Sequence, residues 1–273
     1  MLLTQNHSAN RILESNDLRK QLRHLKIKSL FQAGLVSAAV FGGLCYGLDI
    51  EAFADAQKML FSGLLFSVVF KKSYDLLASR KHVRALSSGA EGEARVAKCL
   101  SSLPGNFRIY NHFLIPNPRS ATGYTEVDFL VVGKNGIHVL EVKNNQGKIS
   151  VTESDDQWRV LSGGRRVLMR NPVKQAKLQR DTLKKYLETH GFECQVSASV
   201  LMSNPASELK ANEPVSLPVL KLNSANLKKH VRQLDKAFKG GQGVSGHLVE
   251  RLDAIHKEGL NEDLQRNIRK NRG

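Results

Sequence analysis

Apolar and polar residues follow two regimes along this chain. From Ser29 to Leu48, twenty residues pass without a charge, the length a helix needs to cross about 30 Å of hydrocarbon. A second apolar segment runs from Ala52 to Phe70, uninterrupted from Met59, with Asp55 and Lys58 near its start, within reach of an interface. The pattern predicts a transmembrane helical hairpin over 29–72. Small residues at four-residue spacing (Gly34, Ala38, Gly42; Ala39, Gly43, Gly47) and Gly63 with Ser67 let its helices approach closely. Before it, Ile12, Leu18, Leu22 and Leu25 recur among basic residues, which predicts an amphipathic helix lying on the membrane within segment 1–28. The long polar stretch before the apolar run, and the lack of a small-residue cleavage site, argue against a removed signal peptide.

Beyond Lys72 the period shortens. A helix is expected over 74–103, broken at Ser87–Gly89 and restarting near Ala90. Strands are expected at 106–115, 125–132, 137–143 and 147–152, and a hairpin through 161–166. Asn171 before Pro172 marks a helix start, with the helix reaching about Thr189. A strand at 195–202, a segment near 215–222, and helices at 224–238 and 245–270 complete a mixed α/β order. The domain reading is 1–28, 29–72, 73–202 and a C-terminal extension, 203–273, that completes the fold or binds a partner.

Charge narrows the partners. Lys and Arg number 41 against 25 Asp and Glu, a net +16, which favours polyanions, nucleic acid or anionic lipid, over a neutral ligand. Aromatics are too few and the basic residues too scattered for a base-stacking platform. Cys45, Cys99 and Cys194 are isolated, so neither a disulfide frame nor a zinc site is indicated, and His138, alone inside a hairpin, reads as packing. Five basic residues from Arg19 to Lys28 precede the first span and Lys71, Lys72, Arg80 and Lys81 follow the second, while the connection is acidic. Both termini are therefore expected in the cytoplasm.

The stretch TEVDFLVVGKNGIHVLEVK, 125–143, puts charge into a strand pair that is otherwise apolar at both parities, as in a sheet covered on both faces. Glu141 and Lys143 project to one side of their strand. A two-residue loop at Lys134–Asn135 places Asp128 opposite Glu141. A loop at Asn135–Gly136, the type I′ preference, places it opposite Lys143. Both registers gather the three side chains on one face, and a bulge would break that inference. Two carboxylates at cross-strand spacing repel unless a cation joins them. Oxygen ligands without clustered His or Cys favour Mg²⁺ or Mn²⁺, with Lys143 placed to polarise water or neutralise phosphate charge. A solvent-facing salt bridge is the competing reading.

With GAEGE at 89–93, the hairpin above and its continuation NNQGKI, Trp158 and NPVKQ at 171–175, residues 88–190 resemble the nuclease-related domain, a branch of the PD-(D/E)xK nuclease superfamily. The resemblance implies a restriction-endonuclease-like α/β fold, a central mixed sheet flanked by helices, with a metal site at the sheet edge. It makes Asp128, Glu141 and Lys143 the catalytic acids and lysine, Glu93 the helical acid that completes the site, and Gln175 a polar contact. Metal ligands would be Asp128, Glu141, the Val142 carbonyl and Glu93. Glu91 and Glu126 are neighbouring competitors read as exposed carboxylates, and Val127 stands where the superfamily motif has proline. The implied activity is Mg²⁺- or Mn²⁺-dependent hydrolysis of DNA, with Arg165, Arg166 and Arg170 gripping phosphates without reading sequence. With the hairpin, this describes a two-pass protein of the bacterial inner membrane acting on incoming DNA, with the hairpin or C-terminal region open to self-association or a partner protein. A catalytically silent, membrane-tethered nucleic-acid-binding or signalling module, and a structural protein binding anionic lipid, are the alternatives.

Overall fold

A computed structural model describes residues 88–261, together with Lys71, Leu264 and Gln265. The predicted hairpin at 29–72, the basic segment before it and the helix expected from 74 to 87 otherwise lie outside the described residues. Among the described residues no helix is long and apolar enough to cross a membrane.

Helix α1 covers 88–100. The strands are β1 (Arg108–Pro116), β2 (Tyr124–Val132), β3 (Gly136–Lys143), β4 (Gly147–Val151), β5 (Gln157–Ser162), β6 (Arg165–Arg170), β7 (Gln195–Met202), β8 (Ser207–Ala211) and β9 (Val219–Lys221). Three further helices are α2 (Pro172–Thr189), α3 (Ser224–Ala237) and α4 (Gly246–Gly259). The architecture is mixed α/β, and the strands form two sheets where one was expected. A five-stranded sheet runs β1-β2-β3-β7-β9, antiparallel through β3 and parallel beyond it. A four-stranded sheet runs β6-β5-β4-β8. Strand β8, unforeseen because SELKA lacks an apolar alternation, pairs in parallel with β4.

Both faces of the larger sheet are covered, which accounts for its apolar residues at both parities. Leu130, Val132, Ile137 and Val139 join one core cluster with Val173, Leu183 and Leu187 of α2 and Leu252 of α4. Phe129, Val131 and Leu140 join another with Val96 and Leu100 of α1 and Leu227 and Val231 of α3. Each fully buried aliphatic or aromatic side chain contributes roughly 1.5–3 kcal/mol.

Asn171 caps α2 as its sequence predicts, accepting from the N–H groups of Val173 and Lys174. Its own amide donates to the Thr152 and Asp155 carbonyls, so the helix start is tied to the β4–β5 connection. That anchor sets the phase of α2 and therefore which of its side chains meet the ends of β2 and β3.

The β2–β3 register pairs Phe129 with Leu140 and Val132 with Ile137. The loop is Lys134–Asn135, closed by Gly133 N–H donating to the Gly136 carbonyl at 2.9 Å. Neither loop residue has a positive φ, so this is not a type I′ turn. Tertiary contacts decide it: Asp235 of α3 accepts from both the backbone N–H and the side-chain amide of Asn135.

Candidate active site

The site begins with an irregularity. Strands β1 and β2 pair Asn111 with Phe129 and Phe113 with Val127, so His112 and Asp128 form the position skipped between them. His112 has φ 51 and is the one non-glycine with positive φ among the described residues. Core membership records the same break: Val127 shares a cluster with Leu130 and Val132, although strict alternation would put it on the other face. Freed from the regular ladder, the Asp128 carboxylate accepts the Val142 N–H at 2.7 Å, substituting for a backbone carbonyl.

The β2–β3 pairing ends at Phe129 with Leu140, one residue short of Asp128 and Glu141. Glu141 is 2% exposed and its two oxygens have different partners. Lys143 Nζ donates to Oε1 at 2.5 Å, and Gln179 Nε2 of α2 donates to Oε2 at 2.6 Å and to the Glu126 carbonyl at 3.0 Å. Asp128 opens on the same cleft. Burial, then the Glu141 and Glu93 carboxylates beside it, push its carboxyl well above the ordinary range, while Lys143 and the Val142 N–H pull the other way. Stacked negative charge of this kind marks functional sites more often than structural ones.

Glu93 reaches the cluster from α1. His112 Nε2 lies 2.9 Å from Glu93 Oε2 and its Nδ1 lies 3.0 Å from Glu126 Oε1, so one imidazole joins the helical acid to a β2 carboxylate. The second glycine of GAEGE has a steric reason: a Cβ on Gly92 would lie 2.6 Å from Ser203 Oγ and 2.8 Å from Asn144 Cβ. Arg95 fixes the same approach by donating to the Ser203 carbonyl at 3.1 Å and to Asn144 Oδ1 at 2.5 Å.

A cleft of about 1270 Å³ contains Asp128, Glu141, Lys143, Glu126, Gln175, Gln179 and Arg170 in its lining. The structure thus gathers the hairpin trio, Gln175 and one of the three predicted arginines. Arg165 and Arg166 are exposed on β6 beside the Gly163–Gly164 turn and do not line the cleft. Gln175 is close but does not hold Glu141; that contact belongs to Gln179, one helical turn further along the same face. Glu91 is exposed, as read, whereas Glu126 is bound to His112. Sequence reasoning missed His112 and Gln179. The i, i+4 repeat of glutamine in α2 was a signal for the second, and nothing local marks the first.

The donor set suits a hard divalent cation in chemistry, with two carboxylates and the Val142 backbone at one locus. Gln179 Oε1 is buried without a hydrogen-bond partner, an acceptor that a water bound near an ion would satisfy. Among the described residues, however, no group of three or more His, Cys, Asp and Glu side chains is arranged to hold a metal. Glu93 carries the His112 contact while its carboxylate adds to the negative charge at Asp128.

Sheets flanked by helices, with two acids and a lysine converging at a strand end, are consistent with a nuclease-like α/β fold. Residues 88–203 match the nuclease-related domain, NERD. That span runs from α1 through β7 and carries every member of the Asp128–Glu141–Lys143 cluster, while β8, β9, α3 and α4 lie beyond it. No curated protein and no solved structure matches the chain.

Proposed function

We propose that this protein is a membrane-anchored, metal-dependent nuclease that hydrolyses DNA phosphodiester bonds. The observation that carries the reading is the convergence of Asp128, Glu141 and Lys143 on one cleft, inside the nuclease-related match. Asp128, Glu141 and the Val142 carbonyl would hold Mg²⁺ or Mn²⁺. The ion would supply positive charge to a nonbridging phosphate oxygen and make water a better nucleophile.

The chain's own groups do the positioning. Gln179 and the Val142 N–H hold the two carboxylates in place. Lys143, with 22% of its side chain exposed, is the cation free enough to turn from Glu141 toward an incoming water or phosphate oxygen. Glu93, through His112 and Glu126, braces the β1–β2 side of the cleft. In the overall reaction the water oxygen bonds to phosphorus, one bridging P–O bond breaks, and a hydroxyl and a phosphate monoester result. The uncharged run Ser29–Leu48 supports the tether, which suits a role against DNA entering at the inner membrane.

The test is plasmid DNA incubated with the full-length protein and Mg²⁺ or Mn²⁺, beside Asp128→Ala and Lys143→Ala. Cation-dependent nicking by the wild type, lost in both variants, is expected. Equal cleavage by all three, or DNA binding without nicking under either cation, refutes catalysis and leaves the silent binding module.

A further inference from the structure

The cleft that holds Asp128 and Glu141 continues to Tyr186 and Arg251. Gln179 and Tyr186 are two helical turns apart on α2, so they share a face at a separation of roughly 10 Å along the axis. Gln179 holds Glu141, and Tyr186 holds Arg251 of α4. The guanidinium Nε and Nη2 donate to the phenolic oxygen at 3.0 and 2.6 Å, with Cζ 5.8 Å from the ring centroid. A neutral phenol orients this arginine without cancelling its charge, and among the described residues no carboxylate forms an ion pair with it. Two of the five guanidinium N–H donors are used in this way; three remain, as does the phenol's own O–H.

The support is rigid. Helix α4 buries Leu248, Leu252 and Ile255, and Asp253, two residues from Arg251, accepts from Arg108 at 2.6 Å and from the Tyr110 hydroxyl at 2.8 Å. Lys185 and Arg119 line the same cleft and add positive charge. We propose that Arg251 and Tyr186 form a phosphate-binding subsite that grips a nucleic-acid strand away from the carboxylates. This rests on the reading that the cleft takes a nucleic acid and extends it. Ten ångströms is about three phosphates along one strand of duplex at 3.4 Å each. Helix α4, beyond the nuclease-related match, then belongs to the substrate-binding face.

The experiment uses the full-length chain in chelator, so that binding is read without cleavage. Fluorescence anisotropy with fluorescein-labelled duplex DNA is followed across a salt series for wild type, Arg251→Gln and Arg251→Lys, with thermal melting as the fold control. Arg251→Gln should bind about tenfold more weakly and lower the log–log salt slope by about 0.9. Arg251→Lys should keep the slope and lose affinity, since an ammonium cannot reproduce the fork held by Tyr186. A wild-type slope in Arg251→Gln, or no salt-dependent DNA binding by the wild type, overturns the proposal. If Arg251→Gln fails to melt cooperatively, Arg251→Lys decides, and unchanged affinity there overturns it. An Arg251 effect on binding without any cation-dependent nicking would refute the nuclease and leave this subsite standing.

Discussion

Replacing Asp128 by asparagine separates the stability of the site from its proposed chemistry. Asp128 is buried beside Glu141, which is 2% exposed, and burial with that neighbouring carboxylate disfavours its charged form; two negative charges roughly 5 Å apart would repel by about 3 kcal/mol at an effective dielectric near 20. Attraction to Lys143 offsets part of this, leaving a net cost of about 1–3 kcal/mol without a bound cation. Asparagine has nearly the same shape and still accepts the Val142 N–H, so Asp128→Asn removes the charge and keeps the contact. In chelator near neutral pH the variant should melt roughly 2–12 °C above wild type, at about 2–4 °C per kcal/mol for a folded unit of this size. Adding Mg²⁺ or Mn²⁺ should raise the wild-type melting temperature, by about 2.7 kcal/mol of stability at 100 times Kd, and leave the variant where it was. Thermal unfolding followed by circular dichroism reads both arms. A variant that melts below wild type in chelator refutes the charge-crowding argument, because the carboxylate would then be a net stabilising partner of Lys143. An equal cation response in both proteins removes Asp128 from the proposed metal site.

Gln179→Met deletes the amide that serves Glu141 Oε2 and the Glu126 carbonyl; loss of a charge-assisted bond in a buried setting should cost about 2–3 kcal/mol in urea unfolding, and a wild-type midpoint would show that the contact carries no stability. Gly92→Ala drives a methyl into Ser203 and Asn144, so melting should fall by about 1–3 kcal/mol equivalent and cation-dependent nicking should fall with it; an unchanged transition would mean α1 can retreat freely. His138 is fully buried and stacked on Phe238, and burial lowers its pKa to about 4, with Asp235 raising and His230 lowering it to smaller extents. The folded state therefore favours the neutral ring, and this contribution is intact above about 6.5, the unfolded value. It is lost as pH falls from there toward 4, amounting to about 3 kcal/mol by the lower value; urea midpoints of wild type and His138→Leu across that range should converge, and parallel curves would contradict the assignment.

The covered sheet was legible because burial on both faces requires apolar residues at both parities, and Phe129–Val132 with Ile137–Leu140 supply them. The turn was not fully legible. Local preference favoured Asn135–Gly136, yet Asp235, 100 residues away in sequence, captures Asn135, and a side chain at Gly136 would fall on Phe238. Long-range contacts outweighed propensity there, as they did for β8, whose partner β4 makes a strand of a weakly patterned segment. The register that results ends at Phe129 with Leu140, so Asp128 and Glu141 follow directly beyond the last pair.

The deeper gap concerns His112. Alternation was the rule used to place Asp128, and alternation fails at the His112–Asp128 step, where the two strands stop pairing regularly. Had the ladder continued, the Val142 N–H would have had a backbone carbonyl for a partner, and Asp128 would have been one more side chain standing off the sheet. Because it breaks, the carboxylate enters the plane of the sheet, and His112 turns to hold Glu93 and Glu126. The local rule is violated where charge is concentrated, and the unpaired His112–Asp128 step, one residue on each strand, re-aims a side chain at the cost of regular pairing. A single sequence shows the charges that need an explanation, but the backbone irregularity beside them is visible only in the strand pairing and in the positive φ of His112, whose ring meets Glu93 of α1 from outside the hairpin. That is why the residues of the cluster could be named from the strand pattern while the histidine that braces it could not.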